Sequence, residues 1–171
     1  MKEIDQTSST TSYGYILVPR GTPKHPNLYH QKCLPIAFAI ATMVSEAAQE
    51  GKAPLNKLLF QLRSLSQRKK ASNKEKNAIG DRIWARAQEQ LDRVCSPSTG
   101  PFSYALLDTL CKTFNYQAVI FSGLLPTPVY VYPLEQEGEP RQDLPCLFFQ
   151  EVVSLNPESP TTRHLQVILR P

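Results

Sequence analysis

Residues 34–50 read LPIAFAIATMVSEAAQE, and the spacing of their apolar side chains decides the fold. Ile36, Ile40, Met43, Val44 and Ala47 recur at helical intervals, so the stretch is a core helix. Pro35 falls in its first turn, where a missing N–H costs nothing, and Gly51 ends it. Cys33 therefore stands at the helix N-terminus, directly after the polar tetrad Tyr29-His30-Gln31-Lys32.

Outward from this helix the chain divides into two kinds of pattern. Leu55–Leu65 reads as a second, amphipathic helix, followed by a polar linker over Ser66–Asn77. Ile79, Ile83, Ala87, Leu91 and Val94 mark a third helix on a 3.6-residue period with Trp84 on its flank. Residues 95–101 (CSPSTGP) break the chain. A fourth helix over Phe102–Phe114 has Leu106, Leu107, Leu110, Cys111 and Phe114 as its buried stripe. After Asn115 the character changes to short β-rich runs at Gln117–Ser122, Val129–Tyr132, Cys146–Val153 and His164–Leu169, expected to pair as an antiparallel meander. Before the core helix, Tyr15–Val18 reads as a short strand and Pro19–Asn27 as a loop. Residues 1–14, rich in Ser and Thr, are expected to be a disordered tail. The expected fold is thus one α+β domain over residues 15–171, with N-terminal helices packed against a small, mainly antiparallel C-terminal sheet.

The 171 residues are 41% hydrophobic and 20% charged, the composition of a globular chain. No apolar run approaches the ~20 residues of a transmembrane helix, and residues 1–14 lack an apolar signal region. The four cysteines have no spacing typical of zinc. These features lead us to expect an intracellular (cytoplasmic or nuclear) monomer without metal or cofactor and without membrane contact. The net charge of +4 is uneven. Residues 52–86 hold ten Lys or Arg against Glu75 and Asp81, which is 10 − 2 = +8 and leaves −4 for the rest. That block has no interleaved aromatics and no recognition motif, so it reads as a solvated surface and not as a nucleic-acid site.

Two residues carry the chemical expectation. The positive end of a helix favours thiolate over thiol, which makes Cys33 a candidate nucleophile; the alternative is a merely buried first residue of the helix. A thiol nucleophile needs a base that is near in space and not in sequence. His164 opens the last strand, behind the polar loop 156–163, where an imidazole is exposed while the following residues anchor it. His25 and His30 compete less well, His25 lying among prolines without an anchor.

Gln31-Lys32-Cys33-Leu34-Pro35 with its apolar helix resembles the nucleophile segment of OTU-like cysteine peptidases, particularly divergent ones near the start of Maverick/Polinton-type and adintovirus-like DNA polymerases. Tyr104–Ser122, Val129–Pro133, Cys146–Gln150 and His164-Leu-Gln-Val-Ile resemble that group's later segments in the same order. The resemblance implies a papain-like architecture with Cys33 as nucleophile and His164 as base. It further implies an oxyanion hole from the Cys33 N–H with the Gln31–Lys32 turn, and Gln166 as the orienting residue. The implied activity is that of a thiol peptidase or isopeptidase, deubiquitinase-like, acting on ubiquitin, a related modifier or a polyprotein. The Asp-Gly-Asn-Cys segment usual in the family reads His30-Gln31-Lys32-Cys33 here, so its acid is missing. An inactive OTU-like binding module attached to a replication protein is therefore the alternative. Glu135, Glu137, Glu139 and Asp143 form an acidic loop, expected to steer the basic tail of such a substrate.

Overall fold

The order of elements follows from where the apolar pattern changes period. The structure, a computed structural model, describes residues 14–66, 72–97, 102–122, 128–133, 143–154 and 162–169. Strand β1 (Gly14–Leu17) is followed by helices α1 (Cys33–Glu50), α2 (Lys52–Ser66), α3 (Asn73–Arg93) and α4 (Tyr104–Phe114). Strands β2 (Gln117–Ser122), β3 (Tyr130–Tyr132), β4 (Cys146–Ser154) and β5 (Thr162–Leu169) complete the fold. The expected α+β class is what forms. Residues 1–13 of the expected tail lie outside the described residues, and Gly14 belongs to β1.

Helix α1 is the hub. It touches α2, α3, α4, β4 and β5, and every residue from Leu34 to Met43 is buried. A stripe was expected, but the first turns are covered on all sides, which is why Ala alternates there with Ile and Phe. Phe38 meets the rings of Phe114 and Tyr116, each at 6.2 Å between centroids. On the opposite flank Arg86 of α3 donates two hydrogen bonds to Glu46, at 2.6 and 2.7 Å. At such a half-exposed position the pair is worth about 1 kcal/mol or less. Gln90 Nε2 donates to Thr42 Oγ1 at 3.0 Å inside the same helix pair. Gly51, at φ +141°, ends α1 in a conformation that favours glycine.

Helix α3 begins earlier than the periodicity suggests. Ser72 caps it by accepting from the Glu75 N–H at 3.2 Å, and its hydroxyl reaches the Glu75 carboxylate at 3.1 Å. This side-chain cap sits inside the stretch read as linker, and residues 67–71 of that stretch lie outside the described residues.

The sheet is not a meander. Its strand order is β1-β5-β4-β2-β3, with β2 and β4 parallel and the other three pairs antiparallel. The cause is the weakness of β3, three residues ended by Pro133, which has no N–H to give a ladder. Strand β3 closes one edge, and the nine-residue β4 takes the other side of β2. Between two neighbours, β2 is buried from Gln117 to Ile120.

The segment ahead of α1 is fastened to α3. Tyr29 is 2% exposed and its hydroxyl donates to the Gly80 carbonyl. A Cβ added at Gly80 would stand 2.0 Å from Thr22 Cγ2 and 3.2 Å from Tyr29 Oη. Thr22 is itself buried, so it has no room to retreat. Gly80→Ala is therefore expected to destabilise the protein by about 1–3 kcal/mol, read as a lower urea midpoint at unchanged slope, despite alanine's better helix propensity.

Candidate functional site

The site arises where two strands differ in length. Strand β1 ends at Leu17, opposite Gln166, whereas β5 extends on to Thr162. Leu165 lies just past the last β1 partner. Its N–H turns instead to the sulfur of Cys33, which the N–H groups of Cys33 and Leu34 also face. The three donors come from the open first turn of α1 and from the unpaired stretch of β5. Cys33 and His164 thus border one cavity of about 310 Å³, with Leu34, Phe102–Tyr104 and Leu165 as its remaining walls. The structure thus brings together two residues that the sequence places far apart. His25 and His30 are exposed on the preceding loop and do not line it.

The turn before the thiol is built by backbone geometry. Gln31 adopts φ +59°, and Lys32 donates its N–H to the Tyr29 carbonyl at 2.9 Å. Lys32 caps α1 without a side-chain hydrogen bond. Its ammonium instead lies 5.7 Å from the centre of the Trp84 ring, which in turn is 6.3 Å from Tyr29. Lys32 thus holds the turn against α3, while Gln31 is exposed. The first N–H used inside α1 is that of Ile36, bonded to the Lys32 carbonyl at 3.1 Å. The N–H groups of Cys33 and Leu34 are the donors left at the mouth of the cavity.

The electrostatics differ from the expectation for a helix-terminal thiol. Burial raises the Cys33 pKa above its ordinary 9.0, and the three N–H groups only oppose that rise. Burial likewise lowers His164 below 6.5, partly offset by a hydrogen bond from its ring to the Val18 carbonyl. Thiol and imidazole are therefore both neutral at pH 7, not a preformed ion pair.

Sequence reasoning assigned the orienting role to Gln166. The group that accepts from the imidazole is the Val18 carbonyl, at the end of β1. Gln166 sits on β5 between Leu17 and Gln150. A backbone acceptor leaves no signature in a sequence, so nothing could have pointed to it. Of the acidic loop, Glu135, Glu137 and Glu139 lie outside the described residues. Asp143 precedes β4, whereas His164 pairs with Val152 near its other end. Six strand steps separate Cys146 from Val152, about 20 Å. Asp143 does not rim the cavity.

Sequence reasoning missed a buried acid beside the site, Glu151, which stands opposite Leu165 without itself lining the cavity. It is 6% exposed and accepts a hydrogen bond from the Tyr104 hydroxyl. Its signal was there: Leu147, Phe149 and Glu151 alternate on the buried face of β4, where a carboxylate is out of pattern. Of the basic block, Lys52, Lys57, Arg63, Lys74 and Arg82 are exposed on α2 and α3. Among the described residues no group of three His, Cys, Asp or Glu is placed to hold a metal ion, and no helix is long and apolar enough to cross a membrane.

Compared with known protein families, curated proteins and solved structures, the chain finds no match.

Two outcomes follow from the electrostatics. Cys95 is exposed and Cys33 half-buried with a raised pKa, so iodoacetamide at neutral pH should modify Cys95 first, as peptide mapping would reveal. Because His164 titrates lower in the folded chain than its ordinary 6.5, the unfolded chain binds more protons in between. The stability His164 contributes is present above about pH 6.5 and is lost as pH falls through its folded pKa. His164→Ala should flatten that acid limb in urea titrations at pH 5 and 7.

Proposed function

We propose that this protein is a thiol-dependent peptidase or isopeptidase of OTU-like type, using Cys33 as nucleophile and His164 as base. The observation that carries the reading is the convergence of the two on one cavity, with the Leu165 N–H on the sulfur and the Val18 carbonyl on the imidazole. An amide carbonyl seated beside Cys33 meets the N–H groups at the start of α1, which stabilise its developing oxyanion. His164 takes the thiol proton through the ring nitrogen not bonded to Val18, and the sulfur adds to the carbonyl carbon. The imidazolium then returns that proton to the departing amine, leaving a thioester. A water deprotonated by His164 adds to the thioester, releasing the carboxylic acid and restoring the thiol.

A neutral resting pair suits this sequence, in which proton transfer accompanies attack. The Val18 carbonyl supports the imidazolium less than a carboxylate does, so a modest rate is expected. Ubiquitin or a related modifier is the substrate class that the OTU resemblance favours, with polyprotein processing as the second. The raised Cys33 pKa favours one rival reading, an inactive module that binds the same partners.

Cleavage of a fluorogenic ubiquitin substrate, with ubiquitin affinity in parallel, tests the proposal. Cys33→Ala should abolish turnover and His164→Ala should lower it by about 100-fold or more, both with affinity kept. Gln166→Ala should cost far less, because Val18 holds the ring. The acid limb of kcat/KM should fall below pH 6.5, following the lowered His164. A wild type without turnover, whose affinity ignores both substitutions, would establish the inactive module.

A further inference from the structure

Ser103 stands where α4 opens on the thiol cavity, in the position of a helix cap that it does not fill. Its backbone is extended, at φ −112° and ψ 168°, yet its side chain makes no cap hydrogen bond. Ser72, in the same position of α3, accepts from the Glu75 N–H at 3.2 Å. The Ser103 hydroxyl bonds no described residue, and the residue is exposed, so an entering group reaches it. Among the described residues, the polar side chains on the cavity wall are those of Cys33, Ser103, Tyr104 and His164. The Tyr104 hydroxyl donates to Glu151 and the His164 ring to the Val18 carbonyl, while Cys33 is the nucleophile of the proposed reaction. That leaves Ser103 as the uncommitted donor of the described wall. The backbone donors are engaged as well: the N–H groups of Cys33, Leu34 and Leu165 face the sulfur, so an oxyanion shares them with it. The first turn of α4 holds no acidic residue, and the positive end of that helix favours an acceptor oxygen beside Ser103 over an N–H.

We infer that Ser103 is a further catalytic residue, its hydroxyl donating a hydrogen bond to the carbonyl oxygen as Cys33 attacks. The inference rests on the peptidase reading and deepens it, adding a side-chain donor to the N–H groups of α1. As the sulfur bonds to the carbonyl carbon, the π pair moves onto the oxygen and the thiol proton goes to His164. Ser103 keeps its own proton and bonds the charged oxygen more strongly than the neutral carbonyl, which is what accelerates the step.

Two series of measurements test this role, one that needs turnover and one that does not. In cleavage of the fluorogenic ubiquitin substrate, Ser103→Ala should lower kcat about 100-fold. KM and the urea midpoint should stay unchanged, because no cap bond is lost. Ser103→Thr should restore part of the rate. Ser103→Asp decides between donor and cap: a carboxylate caps a helix as well as serine does but has no proton to donate at pH 7. It should keep the midpoint and lose the rate. Turnover retained in Ser103→Ala or Ser103→Asp would overturn the inference. The second series uses the aldehyde acetyl-Gly-glycinal, followed by NMR through a carbon-13 label at its aldehyde carbon. The sulfur bonds to that carbon, the C=O π bond opens and the thiol proton ends on the oxygen, so nothing else is consumed. The adduct should be about tenfold weaker in Ser103→Ala than in the wild type, whether or not hydrolysis is fast enough to measure. Equal adduct formation would overturn the role of Ser103 and leave the peptidase reading standing. A wild type with neither turnover nor adduct would remove that reading and this role with it.

Discussion

The approach of β5 to the mouth of α1, where the Leu165 N–H faces the Cys33 thiol, ties the sheet to the core helix. On one side is the start of a helix buried on every face. On the other is a strand that outruns its neighbour. Both features are consequences of packing: α1 is buried because it lies between α2, α3 and the sheet, and β5 outruns β1 because β1 is four residues long. A strand edge left unpaired near a core needs acceptors, and a thiol at a helix mouth supplies one. Pairing β1 one residue further would bring its backbone against Leu165, and that N–H would cease to face the sulfur.

The same burial that builds the site also sets its charge state. Water excluded from the cavity raises the thiol and lowers the imidazole, and the helix N-terminus does not reverse this. A helix end is worth roughly 1 kcal/mol in ordinary geometries, and burial of an ionisable group readily exceeds that. The expectation drawn from the position of Cys33 had the right sign for one contribution and omitted the larger one. In the proposed mechanism chemistry starts from neutral partners, and the Val18 carbonyl is what supports the transient imidazolium.

Much of the fold was legible because it rests on local rules. The ends of α1 followed from Pro35 and Gly51, and the switch to strands after Asn115 coincides with its left-handed cap at φ +59°. Strand pairing was less legible, since the order β1-β5-β4-β2-β3 depends on how poorly β3 can bond, a comparison no single segment reveals. In the site, Cys33 and His164 stood out through position, one at a helix start and one at a strand start. Val18 was invisible because it acts through its carbonyl, which every residue possesses. Glu151 was hidden differently: an acid in a run of apolar residues looks like the polar half of an alternation until the register shows which face is buried.

The same register places an acid one strand from Leu165 although the turn before Cys33 carries none. His30, Gln31 and Lys32 offer no carboxylate, and the turn they form is held by Lys32 against Trp84 and by Tyr29 against Gly80. Its side chains are spent on fixing the backbone, so the N–H groups of α1 stay aimed at the cavity. Glu151 lies on β4 instead, bonded to Tyr104 and outside the lining of the cavity. From there it does not touch the imidazole hydrogen bond, which Val18 already occupies. A carboxylate in that position pins Tyr104, a wall of the cavity, to β4 and leaves the imidazole as it is, so the shape of the cavity and the hydrogen bond of its histidine are set by different strands.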